Sequence, residues 1–279
     1  MVNTGDDAII HGLHVSPDLD TVTYTLAGAI SRDRGWGLEG ETWATMEALG
    51  RYPSRFPWFG LGDRDLATHL FRTQRLADGA PLSTVTAEIA DAWGVEVSVL
   101  PVTDHRLETM MEVEDEGEIS FQDYFVRLAH DVAVRGVRFR GAGASRPAPG
   151  VLDALVTAGV VVICPSNPIV SIGPLLAVPG VRDAVTASRD RVVAVSPIVA
   201  GAALKGPAAR LLSELGHEVS VVGVARLYAS LAATLVVDEA DAALAPAVEA
   251  TGMRCLVRPT GMRGPEEAAE LARAVMEAA

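Results

Sequence analysis

GVVVICPSNPIV, residues 159–170, is the stretch whose reading decides the fold. Val160 to Ile163 form a continuous apolar run that ends at Cys164-Pro165, as expected of a strand buried on both faces. Gly159 before it is a natural helix stop. Further strands are expected at Arg191–Val195, Glu218–Val222, Leu235–Val237 and Met253–Val257. Helical patterns fall around 150–158, 181–187, 206–215, 223–232 and 240–251, with a last one near 265–278. Strands alternating with helices indicate an α/β fold. Its form is a Rossmann-like, mostly parallel sheet with helices on both faces.

The first half reads differently. Met1-Val2 looks like a strand end, and Ser16-Pro17 like a helix start with Ser as N-cap and Pro at the first helical position. Asp63 to Leu76 carries Leu66, Ala67, Leu70 and Phe71 at helical spacing, with Asp63 as its N-cap. Segment 108–126 reads as a hairpin turning at Glu114 to Glu118. The expectation is one transferase-sized domain over 1–279, with 31–146 as an α+β insertion packed on the Rossmann-like core.

At 279 residues and 29.3 kDa, with 49% hydrophobic but only 5% aromatic residues, the chain builds a core from Ala, Val and Leu. Its formal charge of −13 lacks the basic footprint that nucleic acid needs, so that partner is excluded. The apolar runs fall short of a membrane span, and no basic-then-apolar start suggests a signal peptide. Cys164 and Cys255 read as thiols beside apolar runs, not as a disulfide framework. The expected location is the cytoplasm.

Polar loops after strands are where ligands sit in open α/β sheets. Five stretches qualify: Asn3-Thr4-Gly5-Asp6-Asp7, Ser16 to Thr21, Leu61 to Asp65 with Thr68 and His69, Ser166-Asn167-Pro168 with Ser171-Ile172-Gly173-Pro174, and Ser196 to Gly201. Each also has a plain structural reading. Asp18 and Asp20 suit the first turn of a helix, Asp63 suits a cap, and Ser166-Asn167 suits a turn. Acting together, Asp6, Asp7, Asp18 and Asp20 offer hard oxygen ligands for Mg²⁺, and Ser166, Asn167 and the following helix start offer donors to a diphosphate. Metal plus phosphate cradle is phosphoryl-transfer chemistry.

The motifs NTGDD (3–7), HGLHVSPDLDTVTY (11–24), DRGWGLEGETW (33–43), WFGLGDRDLATHL (58–70), PVTDHRLET (101–109), CPSNPIVSIGPLLAVPG (164–180) and VVAVSPIVAGAALKGPA (192–208) follow one another in this order. Together they resemble the 2-phospho-L-lactate transferase family of coenzyme F-420 biosynthesis, whose actinobacterial members are dehydro-coenzyme F-420-0 synthases. The resemblance implies that the ribityl hydroxyl of Fo (7,8-didemethyl-8-hydroxy-5-deazariboflavin) attacks the β-phosphorus of a guanosine diphosphate ester, releasing GMP. The transferred group is phospholactyl or, in the actinobacterial branch, phosphoenolpyruvyl. It also implies Mg²⁺ and a homodimer. Carried over by position, Asp20 and Asp6 are the catalytic residues, and Asp6, Asp7 and Asp20 hold the metal. Asp20, Gly60, Asp63 and Arg64 lie on the Fo side, and Ser166, Asn167, Ser171, Gly173 and Ser196 on the nucleotide side.

Family members carry a strand, a glycine-rich loop and a helix before the NTGDD position, so the resemblance implies a start misplaced at Met1. Without that loop the alternative is a non-catalytic deazaflavin- or nucleotide-binding protein. A nicotinamide-dependent oxidoreductase needs G-x-G-x-x-G after the first strand, and no strand here is followed by one.

Overall fold

Runs of Val and Ala short enough for strands, separated by helices, leave one economical solution: a parallel sheet covered by the helices that connect its strands. The computed structural model describes residues 1–53, 56–203 and 206–278, so Leu204 and Lys205 of the 192–208 motif lie outside it. The chain groups into two units, one of residues 1–132 and 138–151, the other of 133–137 and 152–279.

The second unit holds four parallel strands, Val161–Ile163, Val192–Val195, Thr234–Val237 and Arg254–Val257, paired in sequence order. Val161 pairs with Val192, Val193 with Thr234, and Thr234 with Arg254. Every residue of the two central strands is buried, as a doubly covered parallel sheet requires. Helix Pro265–Glu277 lays Leu271 and Val275 onto Val193, Val195 and Val236.

One expected strand is absent. Glu218–Val222 alternates like a strand, yet Ser220 is the N-cap of helix Val221–Tyr228, its hydroxyl accepting from the amides of Val222 and Gly223, both at 3.1 Å. The turn is so tight that a Cβ on Gly223 would stand 1.9 Å from the Glu218 carbonyl.

In the first unit Val2 forms a parallel bridge to Pro101, its amide donating to Leu100 at 2.8 Å. Strands Ala8–Ile10 and Leu13–Val15 form a hairpin around His11 (φ 51°) and Gly12 (φ 81°). Four helices follow, Pro17–Leu26, Ala44–Leu49, Asp65–Ala77 and Leu82–Ala92. The expected hairpin is present as Glu108–Val113 against Gly117–Ser120, and Arg140 at the end of strand Val134–Arg140 donates to Glu118 Oε1 at 2.7 Å. The hairpin ends earlier than read, because Asp123–Arg127 winds into a helical turn. Leu19, Leu82, Ala90 and Val99 form one apolar cluster, and Ile10, Val15 and Leu61 another.

Candidate active site

The Asn3–Asp7 loop is shaped by its own side chains. Asn3 Oδ1 accepts from the Gly5 amide at 2.8 Å, and Asn3 Nδ2 donates to Asp18 Oδ2 at 2.9 Å. The Gly5 carbonyl accepts from the Thr109 amide at 2.7 Å, and the Asp6 carbonyl from Gln122 Nε2 at 2.9 Å. Loop and helix Pro17–Leu26 are thereby fixed against each other. Ser16 stands at that helix's N-cap position but caps nothing; its hydroxyl donates to Asp7 Oδ2 at 2.8 Å.

Carboxylates gather here without a matching set of donors. Asp6 Oδ1 and Asp7 Oδ1 are shut off from solvent with no hydrogen-bond partner. Burial, then the charges of Asp18 and Asp7, push the Asp6 carboxyl well above its ordinary range. Burial raises Asp7 as well, with Asp20 and Asp18 adding to it against the Ser16 hydrogen bond and Arg72. Asp18 is raised by burial. Like charges out of water ask for a proton or a cation.

Asp20 is differently placed. Arg72 Nη1 donates to Asp20 Oδ2 at 3.1 Å, and Nη2 donates to Oδ1, a two-pronged pair at 1% exposure of the arginine. Beside it, His69 Nδ1 lies 3.7 Å from Asp20 Oδ2 and His69 Nε2 lies 3.4 Å from Asp65 Oδ2. The Tyr24 hydroxyl bridges Asp65 Oδ1 at 2.6 Å and Thr68 Oγ1 at 2.8 Å. Burial pushes Asp65 up, but His69, Tyr24 and Arg72 outweigh it and leave the carboxyl below its ordinary range.

Helix Asp65–Ala77 therefore faces the interior with Asp65, Thr68, His69 and Arg72, while Leu70 and Phe71 are exposed. Of the apolar residues at that spacing, Leu66 packs against the Ile10, Val15 and Leu61 cluster, whereas Leu70 and Phe71 turn outward. The polar stripe at i, i+3, i+4 and i+7 was the available signal for Arg72, Tyr24's partner Asp65 and His69.

Two clefts open beside the acidic loop, and Asp7 lines both. One, of about 270 Å³, also touches Thr4, His14, Asp104 and Arg106. The other, of about 170 Å³, is walled by Asp6, Phe56, Trp58, Phe121 and Gln122. Burial, with the nearby charges of Arg72 and Arg106, lowers His14 to about 4, so its ring is neutral near pH 7.

The LGDRD stretch serves local structure. Asp63 accepts from the amides of Ala44 and Thr45, both at 2.9 Å, so it caps Ala44–Leu49 and not its own helix. Hydrogen bonds led by that from Thr42 hold its carboxyl far below the ordinary range. The amides of Arg64 and Asp65 are instead capped by Glu41, at 2.9 and 2.8 Å, a residue that the sequence reading left out. Arg64 Nη1 donates to the Glu39 carbonyl, and Gly60 lies against the Trp43 ring.

In the second unit Asn167 Oδ1 accepts from the amides of Ile169 at 2.9 Å and Val170 at 3.4 Å, capping the turn Pro168–Ile172 that leads into Gly173–Ala177. Its Nδ2 is buried without a hydrogen-bond partner. Ser166 and Ser171 are half-buried, whereas the buried Ser196 spends its hydroxyl within its own loop, on the Ile198 carbonyl at 2.9 Å and amide at 3.1 Å.

Residues 1–254 match the family described as 2-phospho-L-lactate transferase CofD. The chain belongs to this family. It is an enzyme, a transferase. It is 46% identical to the phosphoenolpyruvate transferase of Streptomyces griseus subsp. griseus over 99% of this chain and 88% of that one. Identity is 43% to the protein of the same name from Nocardia farcinica, covering 100% and 86%. A crystal structure of Bacillus halodurans BH3568 shares the fold, with a TM-score of 0.62 at 16% identity over 99% of this chain and 90% of that one.

Among the described residues of the transferase, one group of three ligand atoms stands close enough together to hold a metal. Asp20, Asp65 and His69 bring three within 4.8 Å of one another, with Arg72 bonded to the first carboxylate and Tyr24 to the second. The partnerless buried oxygens of Asp6 and Asp7 are hard donors as well, but they belong to no such group.

Proposed function

We propose that the chain transfers a phosphoenolpyruvyl group from a guanosine diphosphate ester (enolpyruvoyl-2-diphospho-5'-guanosine) to the ribityl hydroxyl of Fo. GMP leaves, and dehydro-coenzyme F-420-0 forms. The observation that carries this reading is the pair of partnerless buried oxygens on Asp6 and Asp7 within a cluster of carboxylates. Family membership supports the phosphoryl chemistry. The enolpyruvyl choice over phospholactyl, which would start from lactyl-2-diphospho-5'-guanosine, rests on the relatives' names.

Mg²⁺, when bound, would supply positive charge against the diphosphate. Asp6 and Asp7, with Asp20 near enough to affect Asp7 electrostatically, would hold it. Asp20 is the proposed acceptor of the hydroxyl proton, because two of its lone pairs stay free beside Arg72. The aromatic cleft of Phe56, Trp58 and Phe121 suits the flat deazaflavin ring. Gly60, which lies against the Trp43 ring, and Asp63 and Arg64, which are bonded into segment 39–45, are the proposed residues of the Fo side beside Asp20. Ser166, Asn167, Ser171 and Gly173 are the proposed nucleotide loop, with Ser196 a structural neighbour.

We also propose a homodimer, which the exposed Leu70 and Phe71 support, and a cytoplasmic location. Among the described residues no single helix is long and apolar enough to cross a membrane.

The test is direct. Fo, Mg²⁺ and each of the two guanosine diphosphate esters are supplied to purified chain, and GMP and product are followed by chromatography and mass spectrometry. Release of GMP with the enolpyruvyl ester is expected, at a higher kcat/KM than with the lactyl ester. Fo binding without GMP release from either ester would establish a non-catalytic binding protein instead.

A further inference from the structure

Arg72 is the one Lys or Arg fully buried among the described residues. Its guanidinium spans both Asp20 oxygens, and Nη1 also reaches the His14 carbonyl and His69 Nδ1, each at 3.4 Å. Nε has no hydrogen-bond partner. A buried ion pair is a poor source of stability, since desolvating both charges cancels most of their attraction. Apolar side chains at both 20 and 72 would fill the same space at less cost. The helix nevertheless turns its polar stripe inward and leaves Leu70 57% exposed. Stability alone does not account for that arrangement.

Geometry does. A carboxylate gripped at both oxygens by a planar fork cannot rotate about its terminal bond, so the remaining lone pairs keep one direction. Asp20 starts from a helix whose first turn is tied to the acidic loop through Asn3–Asp18 and Ser16–Asp7. Arg72 starts from a different helix, and His69 and Asp65 stand beside it on the same face. The pair thus registers two helices on one carboxylate.

We infer that Arg72 is a positioning residue for transfer: it fixes the orientation in which Asp20 meets the attacking hydroxyl, without touching either substrate. This rests on the reading of Asp20 as the proton acceptor. Arg72→Lys supplies a point charge in place of a planar fork, and Arg72→Gln supplies no charge. Arg72→Ala leaves room for guanidinium ion.

Steady-state kinetics, with thermal unfolding as the check on folding, tests the inference. In Arg72→Lys and Arg72→Gln, KM for both substrates should stay within about threefold while kcat falls, by roughly 10²-fold in Gln, the scale of a misplaced reacting group. Guanidinium ion at sub-denaturing concentration should restore kcat of Arg72→Ala at least about tenfold, and urea at the same concentration should not. Folded Lys and Gln variants with unchanged kcat overturn the inference. So does an Arg72→Ala chain whose guanidinium response is no larger than its urea response. Asp20→Asn separates the two readings. Near-normal turnover there removes Asp20's role itself, whereas an inactive Asp20→Asn beside fully active Arg72 variants removes the positioning role alone.

Discussion

Ser16 Oγ donates to Asp7 Oδ2 at 2.8 Å from a position where serine ordinarily caps a helix. The hydroxyl has been diverted from the helix's own amides to a carboxylate whose other oxygen has no partner. Ser16→Ala therefore removes little capping energy but takes away a stabiliser of ionised Asp7. Mg²⁺ affinity by calorimetry should fall about tenfold, the lower end of the usual loss for a residue orienting a metal ligand. Unchanged affinity with a lowered Tm would return Ser16 to an ordinary helix-start role.

Protons and Mg²⁺ compete for the same oxygens. Because the folded chain raises Asp6, Asp7 and Asp18, their protons leave above the ordinary carboxylate range, and ionising them costs stability that falling pH restores. Asp63 and Asp65 are depressed, so the stability they contribute is lost only below that range. His14, at about 4, adds no charge between roughly pH 5 and 8. The rise in Tm on adding Mg²⁺ should therefore grow as pH increases from about 5 to 8, with protons released on binding. Asp6→Asn should reduce both the shift and the proton release. A shift independent of pH across this window would mean that the ion binds elsewhere.

Asp20→Asn removes a negative charge that faces a buried guanidinium. Turnover should drop by roughly 10²-fold, the scale of a lost acid–base group. Stability should drop too, by about 3 kcal/mol, because Arg72 is left buried and uncompensated. Urea unfolding measures the second effect and kinetics the first. Loss of stability with near-normal turnover would leave the pair structural only.

The parallel sheet was legible because Val161–Ile163, Val192–Val195 and Thr234–Val237 are continuous apolar runs, and doubly buried strands must be. Glu218–Val222 failed for an equally physical reason: Ser220 and Gly223 turn an alternating run into a helix start. At the site, adjacency in sequence revealed Asp6, Asp7, Asp18 and Asp20, while their partners come from afar. Arg72 is 52 residues from Asp20 and Gln122 is 116 from Asp6. Helix Asp65–Ala77 misled through Leu70 and Phe71, since its buried face joins the packing of Leu66 and Leu76 to polar contacts with Tyr24, Asp20 and His14. Asp63 was read as a cap, and it is one, for a helix 19 residues earlier in the chain.

Asn167 spends its oxygen on the turn and keeps a buried amide nitrogen without a partner. Asn167→Ala should cost about 1 kcal/mol as a lost cap. It should also weaken guanosine diphosphate binding while Fo affinity is kept. Asn167→Asp retains the cap but replaces the donor nitrogen with an acceptor, so it should restore stability and not nucleotide affinity. Full nucleotide affinity in Asn167→Asp would show that the turn, not the amide nitrogen, matters.

Gly62 and Glu41 give the sharpest steric test. A Cβ on Gly62 would stand 2.2 Å from Glu41 Cδ and 2.5 Å from Oε2, the oxygen that accepts from Arg64. Gly62→Ala must therefore push the Glu41 carboxylate off the amides of Arg64 and Asp65, uncapping helix Asp65–Ala77. Glu41→Ala uncaps the same helix by deletion, and each change should cost about 1–2 kcal/mol. Because both act through one interaction, the double variant should cost little more than either alone. Asp65, His69 and Arg72 ride on this helix, so a loosened start should also lower kcat in both single variants. Additive losses in urea unfolding would show that Gly62 is required by its own backbone and that the Glu41 cap is dispensable.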